Sequence, residues 1–507
     1  MWCDGVSTVM RSGGGIASRP EEGADVERET ERLVELTAAV LPALDAFLTG
    51  DHPPLEHRDD PPGAWRDALA GPLPDKGVPA DEVVRLLADV VVPHGSPMSD
   101  HGFLGFITAP GTTVPTVASL VQTVVANQRY MDSSGGVLER LALRWTAEML
   151  GLPDHADGVI SSDGSAATLV ALGAARQSAF EARGVDVAAA GLPPGAEPVL
   201  YASSGAHHCV LKSAAVLALG RHAVRLVDID TQARMRSGHL AELLHADLAA
   251  GRVPVAVVAT TGTTATGSID PVAEIAALCV EHDVWLHVDG AYGAWAVLDD
   301  RVAPAFEGWE AADSVLIDAH KWLGTPIGAG LLLVRDPALL ERAFTGEPSP
   351  YLQDAELDDR SFYGNLGTRF DERGLELSAP ARGVMVWAAL LELGRTGISN
   401  VVRTDIDRAR RLADHIRASD ELELLLEPDL SVVCFRYTAG VDSSRLDALN
   451  ARLLERLRRE TPYAPSPARP HGAFAIRPVF LNARTRDADV EGLHASVLRL
   501  GRELAAS

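Results

Sequence analysis

The chain is poor in cysteine, in long apolar runs and in basic charge, and each shortage removes a class of protein. Four cysteines occur among 507 residues, Cys3, Cys209, Cys279 and Cys434. They are scattered, with no CxxC pair and no metal-ligand spacing, so they read as reduced cytosolic thiols and not as a disulfide framework. No stretch reaches the ~18 unbroken apolar residues of a membrane span. The N-terminus offers no apolar run of signal-peptide length, and residues 1–22, rich in Gly and Ser, read as a disordered lead-in. Lys and Arg number 45 against 70 Asp and Glu, a formal net charge of −25. That balance argues against nucleic acid or an anionic membrane as partner, since both call for clustered cations, and its plain use is solubility. The expectation is a cytoplasmic enzyme.

What is present is an ordinary globular composition, 47% hydrophobic and 23% charged, in a chain long enough for two or three packed units. From Glu27 to Leu48 apolar residues recur at helical spacing (Leu33, Leu36, Val40, Leu44), Pro53, Pro54, Pro61 and Pro62 then interrupt, and a second helical patch spans Val83 to Val91. This gives a helical N-terminal segment over 23–105, too open to stand alone. Over 106–385 short β-branched runs alternate with Ala- and Leu-rich helical stretches. The candidate strands are Pro198–Tyr201, Ala223–Val227, Val253–Ala259, Val284–Val288, Ser314–Ile317 and Gly330–Val334. Such alternation specifies an α/β fold with a mostly parallel sheet flanked by helices, and ligands at the carboxyl ends of the strands. A polar loop covers Thr345–Arg373, a size that is usually functional or disordered. A small C-terminal α+β domain follows over 386–507. There is no internal repeat and no low-complexity tract.

Candidate chemistry falls just after those strands. Asp318-Ala319-His320-Lys321-Trp322 places a lysine at a strand end, where a dry pocket would let its amine act as a nucleophile. His287 to Tyr292 ends another apolar strand with Asp289, a carboxylate able to pair with a protonated ring nitrogen, and with a small Ala291 that lets a flat ring approach. Ser161-Ser162-Asp163-Gly164-Ser165 opens a strong helix and aims N–H groups at an anion. Ala206-His207-His208 sets an imidazole before a helix, able to stack on an aromatic ring. Each signal is weak alone. A strand-end lysine is usually a solvated charge, Asp289 a turn former, the Ser/Asp run a helix cap.

Together, in this order and spacing, they resemble the group II pyridoxal-phosphate-dependent amino-acid decarboxylases, a family of the aspartate aminotransferase-like fold (fold type I). The likeness runs from about His101 to Leu500. It is strongest at His287–Tyr292 and Asp313–Trp322, with support from Ala206–Lys212, Thr261–Pro271, Arg382–Gly394 and Arg477–Thr485. The resemblance implies a seven-stranded sheet, pyridoxal 5'-phosphate as cofactor and no metal. It makes Lys321 the residue that carries the cofactor as a Schiff base, Asp289 the ring-nitrogen partner, Ala291 the residue under the ring and His207 the stacking histidine. Asp163, Gly164, Ser165, Asp318 and His320 fall at the cofactor, on its phosphate side for Gly164, Ser165 and His320, and Thr263 lies in a flanking threonine-rich loop. It also implies a homodimer.

The implied reaction is decarboxylation of an L-amino acid to the amine and carbon dioxide, with a loop tyrosine as proton donor. Tyr363 is favoured for its central place in the loop, with Tyr351 as the other candidate. By resemblance His101 and Phe103 lie near the substrate pocket, Phe103 and Phe106 point to an apolar or aromatic side chain, and Trp295 would narrow the site, although each is equally a core aromatic; an aromatic or bulky aliphatic L-amino acid is favoured. Two alternatives stand: another carbon–carbon lyase or aldehyde-forming relative, and a catalytically impaired protein that keeps the fold for binding. Departures from the family pattern are Asp163 and Ala166 in the phosphate turn, and Met131-Asp132-Ser133-Ser134, which lacks a proline common there. Asp163 is expected to turn its side chain away from the phosphate while its backbone N–H serves the turn, or else to be protonated or hydrogen-bonded to a cap.

Overall fold

A computed structural model describes residues 22–49, 64–70, 73–125, 129, 133–346 and 370–506. Contacts cluster into two units, one ending at Pro97 and one running from Met98 onward. The first holds the helices Glu22–Thr49, Ala64–Leu69 and Ala80–Leu86, the last passing into a π turn over Leu87–Val91. The apolar spacing read from Leu33 to Leu44 lies on the first of these. Its Leu33, Leu41, Leu44 and Leu48 stay exposed, and the helix Ala80–Leu86 buries no residue. The proline cluster 53–62 and the lead-in before Glu22 lie outside the described residues.

The second unit is built on a seven-stranded sheet. Its strands are β1 (Asp157–Ser161), β2 (Pro198–Ser203), β3 (Val224–Val227), β4 (Val253–Thr260), β5 (Trp285–Asp289), β6 (Ser314–Asp318) and β7 (Gly330–Val334), in the order β1-β7-β6-β5-β4-β2-β3. Pairing from β3 through β6 is parallel, and β7 runs against both neighbours. The two faces of the sheet follow the period of two. Val159, Leu332 and Val334 pack with Ala167 and Val170 of the helix Gly164–Glu181. Ile160, Leu331 and Leu333 point the other way, into the cluster that holds Leu143 and Leu150 of the helix Ser134–Leu150. Helices on both faces bury the sheet twice over, which is why its strands read as unbroken apolar runs.

A four-stranded antiparallel sheet follows, with β8 (Leu422–Leu424), β9 (Phe435–Tyr437), β10 (Ser466–Ala468) and β11 (Ala475–Arg477) in the order β10-β11-β9-β8. It packs on the helices Leu446–Glu460 and Asp487–Ala505 through Leu453, Leu457, Val490 and Leu493. The long helix Gly383–Arg417, kinked at Gly394 (φ 58°), joins the layers: Val386 and Ile398 belong to the core of the large sheet, Leu412 and Ile416 to that of the small one. Among the described residues no helix is long and apolar enough to cross a membrane.

Candidate active site

The carboxyl ends of four strands converge: β1 ends in Ser161, β4 in Thr260, β5 in Asp289 and β6 in Asp318. Over them lies a cavity of about 350 Å³, within the usual range for a ligand site. Asp163, Gly164, Ser165, His207, Asp289, Ala291, Asp318, His320 and Lys321 all line it. Residues spread over some 160 positions of chain are thus gathered at one place by the sheet.

Lys321 sits in the hairpin between β6 and β7. Its backbone N–H donates to Asp318 O (3.2 Å), its own carbonyl accepts from Gly324 N–H (3.0 Å), and Ala319 N–H closes the turn on Ala329 O (3.0 Å). The Lys321 Nζ lies 3.2 Å from Asp318 Oδ2, both side chains largely buried. Behind them the hairpin abuts the turn at Asp163: a Cβ on Gly330 would lie 2.4 Å from the Asp163 carbonyl carbon, so only glycine lets β7 start there.

Asp163 is the N-cap of the helix Gly164–Glu181, its Oδ1 accepting from Ala166 N–H at 2.8 Å. Of the alternatives expected for its carboxylate, the structure shows the hydrogen-bonded cap. One of the helix's free N–H groups is therefore taken by the chain's own carboxylate. Gly164 next to it is needed for space, because a Cβ would come within 2.8 Å of Asp318 Oδ2. Asp289 accepts from Ala291 N–H (3.1 Å), which fixes the carboxylate at the end of β5. Burial pushes the His207 imidazole below its ordinary pKa, with the Asp289 charge opposing, so the ring is neutral near pH 7. Its Nδ1 accepts from Cys209 N–H (3.4 Å), which leaves the proton on Nε2. His320 is likewise pushed down, first by burial and against the pull of Asp318.

Thr263 is not at the cavity. Its Oγ1 shares a hydrogen bond with Thr266 Oγ1 (2.7 Å) and accepts from Ser268 N–H (3.2 Å), bracing the loop while Gly262 and Thr264 on either side line the wall. His101 and Phe103 are also elsewhere. His101 Nδ1 pairs with Asp489 Oδ1 (2.8 Å), Phe103 is buried, and Ile107 lines the cavity in their stead. Phe106 is exposed and Trp295 is a fully buried core residue. Tyr351, Tyr363, Met131 and Asp132 lie outside the described residues.

Thr168, Cys209, Thr260 and Tyr292 line the cavity without having been singled out. Thr168 had a signal: it follows Gly164 by four positions and so shares its helix face. The Cys209 thiol is pushed up to about 12, mainly by burial, so it sits in the wall as a neutral thiol. Two contacts from the small sheet's side hold the strand ends. Trp322 Nε1–H donates to Asp405 Oδ2 (3.0 Å), and Tyr292 Oη accepts from Ser431 N–H (3.0 Å). The Trp322 and Tyr292 rings stack, centroids 4.7 Å apart. Burial pushes the Asp405 carboxyl up to about 7, with Arg408 opposing.

The donor set fits pyridoxal phosphate. An amine at a strand end, a carboxylate across the cavity, a neutral imidazole and a helix N-terminus are what the aldehyde, ring nitrogen, ring face and phosphate require. Asp318 Oδ1 and Thr260 Oγ1 are buried in the wall without a hydrogen-bond partner, polar atoms that a polar ligand would satisfy.

Comparison with known proteins points the same way. Residues 115–438 match the pyridoxal-dependent decarboxylase conserved domain. The chain is 31% identical to the L-2,4-diaminobutyrate decarboxylase of Rhizobium meliloti (strain 1021) over 388 residues, 75% of this chain and 74% of that protein. It is 27% identical over 447 residues to the aromatic-L-amino-acid decarboxylase of Bacillus atrophaeus, covering 87% and 90% of the two chains. The crystal structure of Oryza sativa TDC with PLP and tryptamine superposes with a TM-score of 0.83 over 96% of this chain and 99% of that one, at 24% identity.

Proposed function

The chain belongs to the pyridoxal-dependent decarboxylase family, a pyridoxal-phosphate carboxy-lyase of fold type I, and from that premise we propose that it converts an aromatic or bulky aliphatic L-amino acid into its amine and carbon dioxide. The observation that carries the reading is the single cavity around Lys321, Asp289 and His207.

In this reading Lys321 would hold the cofactor covalently, with Asp318 at 3.2 Å orienting its amine toward the cavity. Asp289 keeps a proton on the ring nitrogen, and His207, neutral and flat, is the group suited to the ring face. Gly164, Ser165, His320 and the backbone at Asp163 serve the phosphate. When bound, pyridoxal phosphate supplies an electron sink for the pair left behind as the carboxylate departs. Tyr363, with Tyr351 as the other candidate, stands as the acid that returns a proton to the substrate carbon. Ile107 and Ile327 give the wall apolar surface for the side chain of the substrate.

A homodimer and a cytoplasmic setting are part of the reading. The helix Thr113–Val125 supports the dimer: Val114, Val117, Leu120, Val121 and Val124 are exposed while Gln122 is buried, the inverse of a solvated helix. The thiols Cys209, Cys279 and Cys434, all free, support the setting.

The deciding experiment offers the purified protein the twenty amino acids, dopa and ornithine, and follows carbon dioxide, amine, peroxide and aldehyde. Amine and carbon dioxide without oxygen uptake are expected, fastest with an aromatic or bulky aliphatic substrate. Aldehyde with peroxide would sink the reading in favour of oxidative deamination. Lys321→Ala should abolish both turnover and the absorbance of the bound cofactor.

A further inference from the structure

A second set of side chains able to ligate a metal lies at the opposite end of the parallel strands. His245 is near the end of the helix Ser237–Ala249, which leads into β4, and Glu281 and His282 end the helix Val272–His282, which leads into β5. All three are therefore at the amino-terminal side of the parallel strands, whereas the cavity lies at their carboxyl ends. We propose that His245, Glu281 and His282 bind one divalent cation of the zinc class and so clip the two helices together.

One ligand atom from each residue lies within 4.8 Å of the others. Zinc bonds of ~2.0–2.2 Å to nitrogen and oxygen place tetrahedral ligands about 3.4 Å apart. His245 and Glu281 are exposed, so rotation of their side chains covers the difference without moving the backbone. The two imidazoles already meet edge to face, centroids 5.0 Å apart at 88°. The Nε2 of His282 is buried with no hydrogen-bond partner, a ring nitrogen that the fold leaves unsatisfied. That unpartnered nitrogen is the observation that separates this cluster from a chance surface grouping.

The field at the site favours a cation. Glu281 and His282 occupy the last turn of their helix, where the backbone dipole presents its negative end. Asp283, in the left-handed conformation (φ 51°), caps that end and adds a neighbouring carboxylate. Among the described residues Glu281 makes no ion pair that a cation would have to displace. Two imidazole nitrogens and one carboxylate oxygen suit zinc, nickel or copper, whereas magnesium and calcium take oxygen sets. Three protein ligands leave the fourth zinc position to water. Given its distance from the strand ends that carry the chemistry, the bound ion would be structural, joining two helices that cover neighbouring strands.

The test titrates zinc chloride into chelator-treated, full-length holoenzyme, followed by calorimetry and by thermal melting. One equivalent is expected in the wild type. Affinity should drop about tenfold or more in His245→Ala and His282→Ala and less in Glu281→Gln, with magnesium silent. Zinc should raise the melting temperature of the wild type and leave that of His245→Ala unchanged. His245 is exposed, so the folding of that variant is not at issue, and its melting curve without metal checks this. Affinity that is equal in wild type and variants, as for an adventitious ion on the His207–His208 pair, overturns the proposal. So does the absence of any binding at about 100 µM zinc.

Discussion

At position 163 a carboxylate caps the helix whose N-terminus faces the cavity, and its charge stands beside the place proposed for the phosphate. Two unit charges at ~4 Å repel by about 1 kcal/mol in water, and the exposure of Asp163 keeps its effect at or below that. Asp163→Asn separates the two things this residue does, because the amide oxygen still accepts from Ala166 N–H while the charge is gone. The variant should bind pyridoxal phosphate about two- to fivefold more tightly in a fluorescence titration of the apoprotein. Pyridoxal, which lacks the phosphate, should bind both proteins alike. Unchanged or weaker binding of the phosphate form would show that the charge does not bear on the phosphate.

Among elements, the β6–β7 hairpin and the end of β5 are fastened by the Trp322–Asp405 and Tyr292–Ser431 hydrogen bonds. Trp322→Phe keeps the ring against Tyr292 and removes the donor to a buried carboxyl. A loss of about 1–3 kcal/mol is expected in urea denaturation, with Arg408 still partnering Asp405. A shift in the absorbance of the bound cofactor would report that Lys321 moves with its neighbour. These fastenings were invisible in the sequence, since they join residues more than 80 positions apart. The parallel strands were legible because burial on both faces leaves them uniformly apolar. β1, β8 and β10 were not legible: Asp157-Gly158 reads as a turn, Leu422-Glu423-Leu424 and Ser466-Pro467-Ala468 are too short, and all three become strands by pairing with β7, β9 and β11. In the threonine-rich loop the motif was found but the parity was not. The side chain of Thr263 turns into the loop, whereas Gly262 and Thr264 reach the cavity. His101 and Phe103 were placed near the substrate by their stretch of chain, and there it is Ile107 that the fold brings to the wall.

For the whole molecule, the exposed valines of the helix Thr113–Val125 set the expected assembly. Replacing Val117 and Val121 by lysine puts two charges into a face that a partner copy would bury without counter-charge. Sedimentation should then show a dimer for the wild type and a monomer for the double variant, with melting of each protein checking the fold. A wild type that sediments as an active monomer would overturn the homodimer. The reversed direction of β7 has its own consequence. It lets β6 turn straight back into the sheet, so that Lys321 is carried by a closed hairpin whose two strands are each paired on both sides. The backbone of Lys321 is held in position by main-chain hydrogen bonds that need no cofactor. Loading this enzyme therefore sacrifices little backbone entropy at the lysine, and the strength of loading is left to its side chain and to the contacts that the cofactor itself makes.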